Sequence, residues 1–158
     1  MTFNDLNLSK ELLRAIEDEG FKSPSEIQEK AIPLLKEGNV DFVGQAQTGT
    51  GKTAAFVLPL LSQLNPKSNE VQALILAPTR ELANQVHEEI KKFGKYIDVR
   101  TLTVYGGTSY DKQINGLKKG RPQIVVGTTG RVMDLMKRGV LRLQNTKQLI
   151  LDEADEML

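Results

Sequence analysis

Apolar positions along the chain follow two alternating periods. Behind Ser9, Leu12, Leu13 and Ile16 recur at helical spacing over residues 10–19, and Gly20 offers a stop. Ser23-Pro24-Ser25-Glu26 has the form of a capping box with Pro at the first helical position, and it predicts a helix running to about Lys36. Short apolar runs at 41–44, 71–77, 99–104, 123–127 and 148–151 read as strands. Helical patterns fill 52–64, 80–94, 109–119 and 131–137 between them. About five short strands separated by helices predict an α/β, doubly wound fold, a parallel sheet with helices on both faces. No repeat, low-complexity stretch or linker interrupts the pattern.

Such sheets bind ligands beyond the carboxyl ends of their strands. The segments that follow the strands are 45–53, Pro78-Thr79-Arg80-Glu81, Tyr105-Gly106-Gly107, Thr128-Thr129-Gly130-Arg131 and Asp152-Glu153-Ala154-Asp155. Nearly all side chains of chemical interest fall on that expected rim.

Composition narrows the chemistry. With 39% apolar and 26% charged residues among 158, the chain reads as one ordered globular domain. The absence of Cys and the single His exclude a disulfide framework, a thiolate zinc site and an imidazole-rich metal centre. No basic-then-apolar leader opens the sequence, and no run approaches the roughly 20 apolar residues of a membrane span, so a cytoplasmic protein is the expectation.

Ala46-Gln47-Thr48-Gly49-Thr50-Gly51-Lys52-Thr53 lies between a predicted strand and a predicted helix. Glycines let backbone N–H groups turn inward toward phosphate, and the helix start adds partial positive charge. Lys52 would reach the β- and γ-phosphates and the Thr53 hydroxyl would hold Mg²⁺. Ala46 stands at the first glycine position of the strict pattern, a mild departure. The last strand delivers Asp152 and Glu153 to the rim, where Asp152 would hold Mg²⁺ through water and Glu153 would orient or deprotonate the attacking water. Taken alone, that acidic cluster favours a helix start stabilised by the dipole; paired with the Lys52 loop, it does not.

In their order, Ala46 to Thr53, Pro78-Thr79-Arg80-Glu81-Leu82, Gly106-Gly107, Thr128-Thr129-Gly130-Arg131 and Asp152-Glu153-Ala154-Asp155 resemble the first lobe of a DEAD-box RNA helicase, a P-loop NTPase lobe of the RecA-like type. Upstream, the segment from Gly20 to Gln28 resembles the adenine-recognising segment of that family, with Phe3 as its usual upstream aromatic. The resemblance implies that residues 1–158 form the ATP-binding lobe, with 1–30 recognising adenine. It implies that the Gln28 amide pairs with the adenine edge while Phe21 stacks on the base, although without it the two residues read as a solvated helix position and a core aromatic. It also implies that Thr79, Arg80, Gly107, Thr128 and Arg131 hold the sugar–phosphate backbone of single-stranded or locally unwound RNA. Such contacts carry no base information. For Arg80 a first-turn helix residue paired with a nearby acid is the other reading.

Three departures qualify the resemblance. Thr129 replaces the usual Pro of the Thr-Pro-Gly-Arg segment, and Tyr105 before Gly106-Gly107 has no interpretation from sequence. The third is length: the sequence ends soon after Asp155, so the later segments of lobe one and the whole second lobe, with its transition-state arginines, are expected to be missing. Acting alone, the 158 residues would bind nucleotide weakly without RNA-stimulated hydrolysis. A DNA translocase or other P-loop ATPase is the competing enzyme class.

Charge alone reads as a set of solvated helix faces sooner than as a polyanion-binding face; with the motifs, RNA is the polyanion it points to. The net +1 conceals 8 basic and 13 acidic side chains over 1–90, 13 basic and 3 acidic over 91–147, and 4 acidic with no basic over 148–158. His87 reads as a helix-surface residue, Asn7-Leu8-Ser9 as a turn and cap, and Lys118-Lys119-Gly120-Arg121 as a solvated helix end or an RNA-side contact. Oligomeric state is not legible.

Overall fold

The computed structural model describes residues 1–38, 40–46 and 51–157. Two compact units emerge, one from residues 1–65 and 89–98, the other from 66–88 and 99–158.

In the first unit a short 3-10 helix, Phe3–Leu6, precedes α1 (Lys10–Asp18), α2 (Glu26–Glu37) and α3 (Lys52–Gln63). Ser9 caps α1 as expected, its hydroxyl accepting from the Leu12 N–H at 3.2 Å. The α2 cap lies two residues later than the sequence suggests. Ser25 Oγ accepts from the Gln28 N–H and Gln28 Oε1 accepts from the Ser25 N–H, which closes a capping box that Ser23 and Pro24 do not enter. The apolar sides of α1, α2 and α3 bury Leu12, Ile16, Ile32, Val57, Leu58 and Leu60. Phe3 is buried too, so in this unit it serves the core.

The second unit is built on a parallel sheet of four strands: β1 (Ala73–Leu76), β2 (Thr101–Val104), β3 (Ile124–Gly127) and β4 (Gln148–Leu151), in the order β2-β3-β1-β4. The fifth expected strand, 41–44, does not form. Those residues carry no ladder hydrogen bonds, and Val43 is 96% exposed, so apolarity without a paired neighbour gave no strand. Helices α4 (Arg80–Phe93), α5 (Tyr110–Gly120) and α6 (Thr129–Lys137) follow β1, β2 and β3. The α6 helix starts two residues earlier than the sequence pattern indicates, because Thr128 is its N-cap. One face of the sheet packs Leu74, Val104 and Val125 against Leu117 of α5 and Val132 and Leu135 of α6. Gly127 leaves no room for a side chain in that packing. A β-carbon there would lie 2.6 Å from both Val104 Cγ2 and Val132 Cγ2 and 2.7 Å from the Val104 carbonyl oxygen.

At the amino ends of the strands, the fully buried Gln123 amide donates to the Pro66 and Ser68 carbonyls and accepts from the Arg100 N–H at 2.8 Å. β4 forms one edge, with Leu149 62% and Leu151 50% exposed. Among the described residues no helix is long and apolar enough to cross a membrane.

Candidate functional site

All four strands run parallel, with Leu76 beside Gly127 and Leu151, and Val104 beside Gly127, so their carboxyl ends form a single rim. The chain leaves that rim four times, and each departure carries expected site residues: Thr79 and Arg80 after β1, Gly107 after β2, Thr128 and Arg131 after β3, Asp152 and Glu153 after β4.

Thr79 is exposed and caps α4, its hydroxyl accepting from the Leu82 N–H at 3.2 Å. That bond uses an oxygen lone pair and leaves the O–H proton to donate elsewhere. Arg80 is exposed and lies over the Tyr105 ring, 5.3 Å from its centroid, rather than against an acid. Tyr105, opaque in the sequence, thereby acquires a contact. Gly106 and Gly107 are exposed, and a β-carbon on either would meet nothing within 4 Å. Thr128 caps α6 through its backbone while its hydroxyl makes no capping bond.

Arg131 is half-buried and turned inward. Its guanidinium donates from Nη1 to the Thr108 carbonyl at 3.2 Å and to Gln113 Oε1 at 3.0 Å, and it lies 3.8 Å over the Tyr110 ring. Tyr110 donates its hydroxyl to Asp134, which holds the phenol above its usual pKa. Its ring also faces the Arg138 guanidinium at 4.1 Å. The sequence reading missed Gln113, Tyr110 and Thr108. A signal existed for Gln113: on α5 it sits three residues after Tyr110 and four before Leu117, a polar residue on the apolar stripe, where burial requires bonded partners.

Asp152 is buried at 6% exposure, and its N–H extends the ladder to the Leu76 carbonyl at 2.9 Å. Glu153 follows with φ of 53°, half-buried, at the start of the turn into a 3-10 helix, Ala154–Met157. Among the described residues no cluster of three or more His, Cys, Asp or Glu could hold a metal.

In the first unit, Gly51, Lys52 and Thr53 begin α3, with Lys52 and Thr53 half-buried, and Ala46 ends the preceding described segment. Gln47, Thr48, Gly49 and Thr50 lie outside the described residues. Gln28 is 2% exposed, which removes the solvated reading, and its Nε2 donates to the Gly51 carbonyl at 3.0 Å. Gly51 has φ of 79°, and a β-carbon on it would sit 2.2 Å from Gln28 Nε2, so glycine is required there by both backbone and space. Phe21 is 41% exposed, with its ring tilted 31° to Phe93 at 5.9 Å, so it is not the core aromatic it could have been. His87, expected on the surface, is half-buried.

The sequence pattern of the DEAD/DEAH box helicase family matches residues 25–158. A DEAD-box ATP-dependent RNA helicase CshA of Streptococcus pneumoniae is 57% identical over 158 residues, all of this chain and 30% of the relative. The CshA of Geobacillus kaustophilus is 53% identical over 157 residues, 99% of this chain and 33% of the relative. Among solved structures, a DEAD box protein from the hyperthermophile Methanococcus jannaschii superimposes with a TM-score of 0.95 at 47% identity, covering 99% of this chain and 42% of that one. Saccharomyces cerevisiae Dbp5 bound to RNA and ADP BeF3 gives 0.89 at 43% identity, covering 99% of this chain and 39% of that one. The chain thus spans about a third of the length of these curated relatives.

Proposed function

The chain belongs to the DEAD/DEAH box helicase family, and we propose that it is the ATP-binding and RNA-backbone-binding part of an ATP-dependent RNA helicase. The observation that carries this reading is the single rim of the parallel sheet, on which Thr79, Arg80, Gly107, Thr128 and Arg131 accompany Asp152 and Glu153. Hydroxyls, arginines and helix starts on one edge suit phosphate and sugar, contacts that carry no base information. The Dbp5 structure, bound to RNA and ADP BeF3, supports RNA as the polyanion and ATP as the nucleotide.

In this reading Gln28 and Phe21 select adenine. Gln28 already accepts from Ser25 N–H and donates to the Gly51 carbonyl, so the residue assigned to the base also bonds the backbone next to Lys52. The second Nε2 proton and the remaining Oε1 lone pair match the donor and acceptor needs of an adenine edge. Residues 46–53 cradle the phosphates, and Lys52 offsets their charge. Thr53 offers a hydroxyl and Asp152 a carboxylate, each by its chemistry a hard oxygen donor of the kind Mg²⁺ takes. When bound, Mg²⁺ supplies charge neutralisation at the phosphates. Glu153 orients a water whose oxygen attacks the γ-phosphorus as the bond to the ADP oxygen breaks, and accepts its proton.

The relatives extend well beyond the matched third, and we assign to that remainder of the parent protein a second lobe with the arginines that complete hydrolysis. The 158 residues alone are then weak nucleotide binders without RNA-stimulated turnover. In the full-length protein, Lys52→Ala should abolish ATP hydrolysis. Glu153→Gln should retain binding of a fluorescent ATP analogue and lose turnover by about 10²-fold or more. Turnover retained by Lys52→Ala would remove the phosphate-cradle assignment, and loss of nucleotide binding by Glu153→Gln would contradict its role on the water.

A further inference from the structure

The loop after β2 and the start of α6 are joined by one buried amide. Gln113, 6% exposed, donates from Nε2 to the Tyr105 carbonyl at 3.0 Å and to Thr108 Oγ1 at 2.6 Å, and accepts from Arg131 at 3.0 Å. Thr108 closes the circuit, its hydroxyl donating to the Tyr105 carbonyl at 3.2 Å while its own carbonyl accepts from Arg131. Both Nε2 protons are used, so a flipped amide would set N–H against a guanidinium and oxygen against a carbonyl. Only one orientation satisfies the site. Each rim arginine also lies on a tyrosine, Arg80 on Tyr105 of this loop and Arg131 on Tyr110 at the first turn of α5.

Gly106 lies between Tyr105 and Gly107 without a positive φ and with open space around it, so no neighbour in the fold demands glycine there. Open space at a glycine turn suits close approach of another backbone. An apolar side chain at position 113 would fill the stripe of α5 without desolvating an amide, so the amide is costly unless its bonds are made. All of its partners belong to the rim.

We propose that Gln113 is a positioning residue for RNA binding: its amide locks the Gly106-Gly107 turn to Arg131 so that the two engage the RNA backbone as one unit, while Tyr105 and Tyr110 aim Arg80 and Arg131. This rests on the RNA-backbone reading of the rim.

The test uses the full-length protein, a fluorescein-labelled single-stranded decauridine and a non-hydrolysable ATP analogue, read by fluorescence anisotropy. Gln113→Leu should weaken RNA binding about tenfold by leaving loop and arginine groups unpaired, with ATP affinity measured without RNA unchanged. In an Arg131→Ala background the same substitution should cost less than about twofold, because positioning acts through the arginine. Tyr105→Phe should bind as wild type and Tyr105→Leu about fivefold more weakly, since the ring and not the hydroxyl holds Arg80. Should Gln113→Leu fail to fold, Gln113→Glu keeps an acceptor for Arg131 and loses both donors, and the same weakening and non-additivity are expected of it. Unchanged RNA affinity, or a full additive loss on top of Arg131→Ala, overturns the proposal while leaving the RNA reading intact. Wild-type RNA binding by both Arg80→Ala and Arg131→Ala overturns that reading and the proposal together.

Discussion

Replacing Gln28 by Glu isolates what its amide does for the backbone beside Lys52. The shape is conserved, and a carboxylate oxygen can still accept from the Ser25 N–H, so the capping box survives. The donation from Nε2 to the Gly51 carbonyl is lost, and a buried carboxylate faces a carbonyl oxygen instead. A lost hydrogen bond with an unsatisfied buried partner costs about 1–3 kcal/mol, and more when the group is charged. We therefore expect Gln28→Glu to destabilise by about 2–3 kcal/mol near pH 7, which is roughly 1 M in the urea midpoint for a slope of about 2 kcal/mol/M.

The sign with pH follows from burial. Desolvation raises the pKa of the introduced carboxyl group in the folded state above its unfolded value. Its protonated form can donate to the Gly51 carbonyl, so stability is fully present below the unfolded pKa and is lost as the pH rises through the folded one. Urea unfolding followed by circular dichroism at several pH values from 4 to 8 should show the gap to wild type closing on acidification. Equal midpoints at pH 7.5, or a gap that widens in acid, would refute the reasoning.

Gly127→Ala should destabilise by about 1–3 kcal/mol, because the new methyl meets two valine methyls and a backbone carbonyl in a well-packed face; thermal unfolding measures it. The Asp18 carboxyl is held below its usual pKa, first by the hydrogen bond from Tyr96 and then by that from Lys95. The lowered folded value means this contribution is present above the unfolded pKa and lost as pH falls through the folded one, so Tyr96→Phe should lower the urea midpoint at pH 7 and the gap should close as the pH falls below the ordinary carboxyl value of 3.8.

What was legible in the sequence was local. Ser9 and the apolar spacing behind it specified α1, and β1, β3 and β4 were legible as short apolar runs between turn residues. The helix starts moved where side-chain bonds chose among several candidates, as with Ser25 over Ser23 and Thr128 over later residues. The 41–44 run failed because a strand needs a partner that periodicity does not supply. At the rim, the resemblance carried by the order of motifs pointed to Thr79, Arg80, Thr128 and Arg131, but not to their settings. Arg80 over Tyr105 and Arg131 on Gln113 join residues 25 and 18 apart in the chain, and only the packed sheet brings them together.

The central claim, that this rim serves an ATPase driven by RNA, is tested most directly by ATP hydrolysis of the full-length protein with single-stranded RNA and with DNA of the same sequence. Stimulation by RNA and not by DNA, abolished by Lys52→Ala, is the predicted result. Equal stimulation by DNA, or turnover indifferent to either nucleic acid, would contradict it.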